Sequence, residues 1–247
     1  MICYDVTHFY STSGRSFTVT KRPPSESRSS LYLLISAVFI SALISANLIA
    51  VKLVVIAGQV LPAAIVIFPI SYIAGDILTE VYGFRRTRSV IWLGFLCNLL
   101  VVLAIWVGSL LPPAEFWKEN VAAYETILGY TSRLLMASFI AYLTGELANS
   151  IVLSRMKQVT KGRWLWSRTI GSTIIGQGLD SVIFITIAFA GEVPELWHLV
   201  WVQWLAKVLY EIVATPITYG VITTVKKREQ LDAYDWGVQF NPIKFWG

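Results

Sequence analysis

The sequence predicts an all-α membrane protein, a bundle of six transmembrane helices with both termini on the cytoplasmic side. Three observations predict this fold class. The 247-residue chain has a mean hydropathy of +0.63 and is only 14% charged, whereas soluble domains are about 25% charged. Its apolar residues gather in six runs of about 20 residues, the length that crosses a hydrocarbon layer of about 30 Å. Most of its basic residues fall on one side of those runs.

The first 29 residues precede the apolar runs and are polar. They are rich in Ser and Thr and contain Pro23-Pro24. Because they lack the apolar core of a signal peptide, we predict that residues 1–29 form a disordered cytoplasmic tail.

Residues 30–228 are predicted to form the transmembrane domain, and residues 229–247 a cytoplasmic C-terminal tail. The six apolar runs lie at residues 31–51, 60–81, 90–111, 134–153, 169–190 and 199–225. The loop at 112–131 contains a possible short interfacial helix with an apolar face.

The distribution of Lys and Arg predicts the orientation. Under a six-span topology, 16 of the 20 basic residues lie on the side of both termini. The side richer in Lys and Arg is normally cytoplasmic. The basic residues on this side are Arg15, Lys21, Arg22, Arg28, Arg85, Arg86, Arg88, Arg155, Lys157, Lys161, Arg163, Arg168, Lys226, Lys227, Arg228 and Lys244.

The remaining composition excludes several classes of site. The net charge of +5 is explained by these topology-setting residues, so no nucleic-acid partner is predicted. Cys3 and Cys97 are too few and too far apart for a disulfide framework or a zinc site. No metal and no cofactor are predicted.

Seven ionisable residues lie inside or at the ends of the apolar runs. A charge at the bilayer centre costs at least about 2.5–3.5 kcal/mol, so each should face the bundle interior or a polar cavity. Five acids against two lysines leave three negative charges in surplus, to be met by protons, a cation or a hydrogen-bond-donating ligand. The seven are Lys52, Asp76, Glu80, Glu146, Asp180, Lys207 and Glu211.

Helical spacing places the polar residues on shared stripes. Tyr72, Asp76 and Glu80 follow one another at intervals of four on the second run. Similar stripes run along the fourth, fifth and sixth runs, and Asn47 lies in the middle of the first. The third run is nearly apolar, with Asn98 as its exception, and is predicted to pack or to face lipid. The other stripes are Tyr142–Glu146–Asn149, Thr173–Gln177–Asp180 and Gln203–Lys207–Glu211.

Structural explanations stand beside the functional ones. Lys52 lies near a helix end, where its side chain can reach the interface. Glu80 lies close to the predicted cytoplasmic end and has Arg85 and Arg86 as potential partners.

Lys207 and Glu211 are one helical turn apart and can neutralise each other, and Glu146 is a second potential partner of Lys207. Asp76 and Asp180 lie deeper and have no partner within their own sequence neighbourhood. The sequence therefore favours these two as functional residues.

Two segments carry a family resemblance. Residues 68–83 read FPISYIAGDILTEVYG and are followed by a basic loop, residues 172–181 read STIIGQGLDS, and Phe240-Asn241-Pro242 stands near the C-terminus. Over residues 30–245 the chain resembles the queuosine-precursor transporter family, formerly labelled a vitamin uptake family. The resemblance implies import of 7-deazaguanine bases, such as 7-cyano-7-deazaguanine, 7-aminomethyl-7-deazaguanine or queuine, across a bacterial inner membrane.

The polar residues give that substrate a chemical rationale. A guanine-like edge presents two neighbouring N–H donors, which one carboxylate accepts in a bidentate manner. Amide side chains suit the ring carbonyl, and aromatic rings stack on a base. The candidate substrate-binding residues are Asn47, Tyr72, Asp76, Glu80, Glu146, Gln177, Asp180, Phe184, Lys207 and Glu211.

Three functional classes were weighed. A transporter of deazaguanine bases is favoured. A membrane-embedded enzyme is disfavoured because the only histidines, His8 and His198, lie outside the runs and no nucleophile–base pair is evident. A substrate-binding subunit with a separate energising partner, or a scaffold, stays open, as does a homo-oligomer. The chain has no phosphate-binding loop motif of its own.

Overall fold

The computed structural model describes residues 30–56, 58–129, 132–191 and 195–243. The predicted disordered tail at residues 1–29 lies outside the described residues. The elements are α1 (Ser30–Ile49), β1 (Leu53–Ile56), β2 (Gln59–Pro62), a 3₁₀ turn (Ala63–Val66), α2 (Phe68–Ile77) continued by a π-helical turn (Leu78–Tyr82), α3 (Phe84–Leu110), a 3₁₀ turn (Glu115–Asn120), α4 (Val121–Leu128), α5 (Ser132–Val159), α6 (Leu165–Phe189) and α7 (Leu196–Glu229).

Five of the described helices, α1, α3, α5, α6 and α7, are long and apolar enough to cross a membrane. They match five of the six apolar runs, so the prediction of an all-α polytopic bundle is confirmed at that level. The six-span count and the orientation of the termini stay predictions. The third run behaves as expected, because most of the C-terminal half of α3 is exposed.

The second run departs from the prediction of one continuous helix over residues 60–81. Its first residues, 60–62, belong to strand β2, which forms an antiparallel hairpin with the preceding β1. Gly58 in the connection has a φ of 77°, a value that favours glycine. The helix begins only at Phe68, with Pro69 in its first turn, where a missing N–H costs nothing. Strand and helix residues are equally apolar here, so hydropathy alone does not separate them.

Several of the described basic residues, among them Arg88, Lys157, Arg168 and Lys226, gather at one end of the bundle, which we call the basic end. There the ring of Tyr32, near the start of α1, lies 5.0 Å from that of Tyr82 at the end of the π turn. Arg168, at the start of α6, and Lys226, near the end of α7, both reach Glu80. The clustering that the sequence predicted is therefore present in three dimensions.

Helices α5 and α6 approach each other closely at two glycines. A Cβ added to Gly145 would lie 2.8 Å from the Asp180 Cβ, and one added to Gly176 would lie 2.7 Å from the Asn149 Cβ. Both distances are below van der Waals contact, so only glycine fits. This contact holds Asn149 and Asp180 on facing helices.

The C-terminal residues 230–243, here called the C-terminal strap, pack across the basic end. The backbone N–H of Ala233 donates to the carbonyl of Val81 at 3.0 Å. The Asp235 carboxylate, 7% exposed, accepts hydrogen bonds from the Phe84 backbone N–H at 2.9 Å and from the Ser154 hydroxyl.

The far end of the strap is tied to α3. Arg88 donates to the carbonyl of Asn241 at 2.7 Å, and the Trp92 indole donates to the carbonyl of Pro242 at 2.9 Å. The segment predicted only as a tail is thus an ordered part of the bundle's end, because α2, α3 and α5 all offer it hydrogen-bonding partners.

Candidate functional site

Four helices, α2, α5, α6 and α7, bring a set of polar side chains together inside the bundle, which we call the acidic centre. The carboxyl-bearing residues Asp76 and Glu211 are 1% and 2% exposed, respectively. The carboxyl groups of Asp180, Glu146 and Glu211 all act electrostatically on the Tyr72 hydroxyl. The acidic centre consists of Tyr72, Asp76, Glu146, Asn149, Gln177, Asp180, Lys207 and Glu211.

Two hydrogen bonds join these helices. The Tyr72 hydroxyl on α2 donates to Oε1 of Gln177 on α6 at 2.9 Å. The Asn149 amide on α5 donates to Oδ1 of Asp76 on α2 at 3.1 Å. Tyr72, Asp76 and Gln177, all predicted from the sequence, therefore lie in one site. Asn149 was seen on a polar stripe but was not predicted as a site residue.

One ion pair crosses the acidic centre. Lys207 on α7 pairs with Asp180 on α6. The alternative pairing of Lys207 with Glu211, one turn away, is therefore not seen, and Asp180, which has no partner in its own sequence neighbourhood, has one on α7. Both partners come from other helices, which local spacing does not reveal.

An aromatic ring also borders Lys207. Its Nζ lies 5.6 Å from the centroid of the Phe68 ring, and that ring is parallel to the Tyr72 ring, with centroids 5.8 Å apart. A cation over an aromatic face is stabilised by the ring quadrupole. The two stacked rings give the acidic centre one aromatic wall.

Three buried carboxyl groups lack a basic partner among the described residues, those of Asp76, Glu146 and Glu211. Within the same residues, Oδ2 of Asp76 and Oε1 of Glu211 are fully buried and accept no hydrogen bond. The acidic centre therefore holds three more acids than bases, the same surplus that was inferred from the sequence. It is made up of fewer residues, because Lys52 is exposed and Glu80 is neutralised elsewhere.

Glu80 belongs to a separate ion cluster at the basic end. Its Oε1 lies 2.7 Å from Arg168, 2.7 Å from Lys226 and 3.5 Å from Lys157. The potential partners Arg85 and Arg86 are thus not the ones it uses. The π turn at Leu78–Tyr82 changes the helical phase after Asp76, so Glu80 points toward the start of α6 and the end of α7.

Asp232 of the strap joins the same cluster. It lies 2.5 Å from Lys157 and 2.8 Å from Lys226. Burial opposes its ionisation, but the two lysines outweigh that effect and hold the pKa of Asp232 below its ordinary value.

Two sequence-predicted site residues have other contacts. Asn47 on α1 donates to Oδ1 of Asn98 on α3 at 2.8 Å. Phe184 packs edge-on against Phe189, with centroids 6.1 Å apart. Neither contact involves the acidic centre.

Sequence reasoning also missed residues that the structure makes central. From the sequence, Lys157 and Arg168 are only topology signals, yet in the structure they are 2% and 1% exposed. Their position just outside the apolar runs gave no sign of burial, because their partner Glu80 is remote in sequence.

A cavity of about 400 Å³ opens at the basic end beside this cluster. Arg168, Lys226 and Asp232 contribute to its wall, together with Tyr219 and Lys227 of α7. The ion cluster therefore borders this cavity, and its central acid, Glu80, is four residues along the chain from Asp76 of the acidic centre.

A protein-family comparison identifies the chain. The model of a family described as "Putative vitamin uptake transporter" matches residues 62–221, more than half of the sequence. The chain belongs to this family. The match spans α2, α3, α5, α6 and most of α7, and thus every helix of the acidic centre. The protein is therefore a multi-pass bacterial membrane transporter and not an enzyme.

Curated relatives agree with the family. The "Probable queuosine precursor transporter" of Bacillus subtilis (strain 168) is 30% identical over 192 residues, covering 76% of this chain and 83% of that protein. The "Queuosine precursor transporter" of Escherichia coli (strain K12) is 27% identical over 170 residues, covering 67% and 74%. No solved structure matches the chain. The resemblance inferred from the sequence motifs is thus confirmed.

Proposed function

We propose that this transporter imports 7-deazaguanine bases, the precursors of queuosine, across the bacterial inner membrane for salvage into tRNA. The observation that carries the proposal is the set of buried carboxyl groups without a basic partner, on the helices that the family match covers. Such acceptors suit a ligand that presents several N–H donors, and a guanine-like edge presents two side by side.

Glu146 is the carboxylate best suited to accept these paired donors. It has neither an ion pair nor a side-chain hydrogen bond among the described residues, and its Oε2 lies 3.5 Å from the position of a Cβ on Gly75. The absence of a side chain at Gly75 thus leaves room beside the carboxylate. Asp180 is less suited because its carboxylate already forms an ion pair with Lys207.

Gln177 and the aromatic wall complete this arrangement. Because Oε1 of Gln177 accepts from Tyr72, its amide N–H groups remain for the carbonyl of the base. Tyr72 and Phe68 offer ring faces for stacking, as aromatic side chains do in other base-binding proteins. Phe184 stays a proposed contact from α6.

The cavity at the basic end suggests the route of release. Its volume of about 400 Å³ falls in the range of about 300–1,000 Å³ common for small-molecule pockets. Separation of Glu80 from Arg168 and Lys226 would join this cavity to the acidic centre. In this proposal the ion cluster is the inner gate, which is closed while Glu80 is paired with Arg168 and Lys226.

Calorimetric titration of the purified transporter with a panel of bases tests the proposal. We expect 7-cyano-7-deazaguanine and guanine-type bases to bind more tightly than adenine, whose Watson–Crick edge places an acceptor beside its donor. Equal affinity for adenine would contradict carboxylate recognition of a guanine-like edge.

Reconstitution tests the alternative of a binding subunit that needs an energising partner. We expect proteoliposomes containing this chain alone to take up labelled 7-cyano-7-deazaguanine into their lumen. Binding without uptake would favour the subunit.

A further inference from the structure

Two of the buried carboxyl groups lie on α2 and α7, helices that pack against each other, and are 1% and 2% exposed. Asp76 is the acid on α2, and Glu211 is the neighbouring charge that acts most strongly on it. Each has one carboxylate oxygen that is fully buried and accepts no hydrogen bond from the described protein, Oδ2 of Asp76 and Oε1 of Glu211. Two such groups strongly disfavour simultaneous ionisation.

The surrounding charges do not relieve this repulsion. The one basic side chain of the acidic centre, Lys207, is taken by Asp180. Asn149 gives Asp76 a single hydrogen bond to Oδ1. The titratable groups around the pair are Tyr72 and Glu80 on α2 and its π turn, Glu146 on α5, Asp180 on α6 and Lys207 on α7.

A proton fits this pair better than a metal ion does. Among the described residues, no three carboxylate, imidazole or thiol side chains lie close enough together to hold a metal ion. A proton needs only one carboxylate oxygen, and it cancels the charge that burial penalises.

We propose that Asp76 and Glu211 form a proton-binding pair and that each base enters together with a proton. This inference rests on the proposed function and adds the coupling ion to it. The proton binds one of the two carboxylates on the acidic side of the membrane and leaves it on the other side. Glu146 and Gln177 hold the base, so the base and the proton are bound to the acidic centre at the same time.

Proteoliposomes with a pH-sensitive dye inside test the coupling. 7-Cyano-7-deazaguanine is the suitable probe because it is neutral, so any proton that moves is carried by the protein. We expect addition of the base outside to acidify the lumen, and an imposed inward proton gradient to accelerate net uptake several-fold. A protonophore should remove the acceleration.

Two variants test whether the transported proton binds to Asp76 and Glu211. The number of protons entering per base should fall several-fold in Glu211→Gln and in Asp76→Asn, whatever their rates of uptake. Glu119→Gln, a change at an exposed acid outside the acidic centre, is the matched control and should keep the wild-type ratio.

The outcomes separate the two proposals. Exchange of labelled for unlabelled base across the membrane needs no driving ion, so its absence would overturn the transport function itself. Exchange without luminal acidification, or acceleration by a sodium gradient instead of a proton gradient, would overturn the proton coupling and leave the transport function in place. If the number of protons entering per base is unchanged in both variants, Asp76 and Glu211 are not the proton-binding pair.

Discussion

At the scale of single residues, the interior acids of this transporter fall into two groups. Glu80 and Asp180 are neutralised by basic side chains of other helices. Asp76, Glu146 and Glu211 have no such partner among the described residues, although all three are buried. Neutralised acids stabilise the bundle, whereas acids without a partner remain available to a ligand or a proton.

Replacement of Glu146 by Gln is expected to weaken base binding. The carboxamide has one acceptor and one donor where the carboxylate has two acceptors, so one donor of the base faces a donor. Losing a hydrogen bond to a charged group costs about 1.5–3 kcal/mol, or roughly 10- to 100-fold in affinity. Calorimetric titration measures this change, with Glu119→Gln as the control. Unchanged affinity would exclude Glu146 from the binding site.

Replacement of Glu80 by Gln is expected to destabilise the protein. Arg168 and Lys157 would remain buried with only the half-exposed Asp232 to balance them. Removing one member of a buried ion pair typically costs about 3–5 kcal/mol. A lowered thermal unfolding temperature in detergent would show this. A change confined to uptake, with the unfolding temperature intact, would instead assign Glu80 a role in transport alone.

The burial of these residues was predictable, but their pairing was not. A charge within an apolar run must turn inward whatever its partner, so Asp76, Glu146 and Glu211 could be placed in the interior from sequence. Glu80 pairs with Lys226, which is 146 positions away. The sequence around Glu80 indicates Arg85 and Arg86 as its partners instead, because spacing along the chain detects only residues that are close in sequence.

At the scale of elements, the contact between α5 and α6 determines how precisely the acidic centre is held. Gly145 and Gly176 let the backbones approach until each glycine meets the other's carbonyl oxygen. Small residues permit such close approach in membrane helices. Helix α6 carries Gln177 and Asp180, so a shift in this contact also moves the site.

Replacement of Gly176 by Ala is expected to destabilise the protein by about 1–3 kcal/mol, the usual cost of overpacking. The new Cβ would lie 2.8 Å from the carbonyl oxygen of Gly145. Gly220→Ala in α7 is the matched control, because a Cβ there meets nothing within 4 Å. Thermal unfolding should therefore separate the two variants. If the two variants are equally stable, the contact between α5 and α6 can widen to take a methyl group at no cost in stability.

The C-terminal strap should give the protein an acid-sensitive contact. The pKa of Asp232 is below its ordinary value of 3.8, so its contribution to stability is complete above that value. The contribution is lost as pH falls through the lowered pKa of the folded state. We expect wild type to unfold at a higher temperature than Asp232→Asn at neutral pH, and the difference to shrink below about pH 4. A difference that grows on acidification would contradict the assignment.

The second apolar run shows which elements hydropathy predicts. A single helix that fills a whole run, such as α3 or α6, is identified by its length. Residues 53–82 instead form a hairpin, a 3₁₀ turn, a short helix and a π turn. All of these are apolar, so what distinguishes them is backbone conformation at positions such as Gly58 and Pro69. A hydropathy average does not register that difference.

At the scale of the whole molecule, charge is separated along the bundle. Basic side chains lie at one end with Glu80 and the strap, and the acids without basic partners lie deeper. A bundle with this polarity is expected to insert with the basic end in the cytoplasm.

Accessibility labelling tests the orientation. Single cysteines introduced at Lys161 and Gln239, in a background without Cys3 and Cys97, should be protected from an impermeant reagent added to intact cells. Cysteines at Lys118 and Glu195 should react with it. Labelling at Lys161 from outside would overturn the six-span topology.

The long sequence separation within the ion cluster also has a consequence for biosynthesis. Glu80 leaves the ribosome 146 residues before Lys226, an interval of about 7–30 s at typical elongation rates of about 5–20 residues/s. During that time the Glu80 carboxyl group of the nascent chain lacks part of the basic side chains that neutralise it in the finished protein. The cluster is completed only when α7 and the strap have emerged, so a chain that terminates early never acquires it.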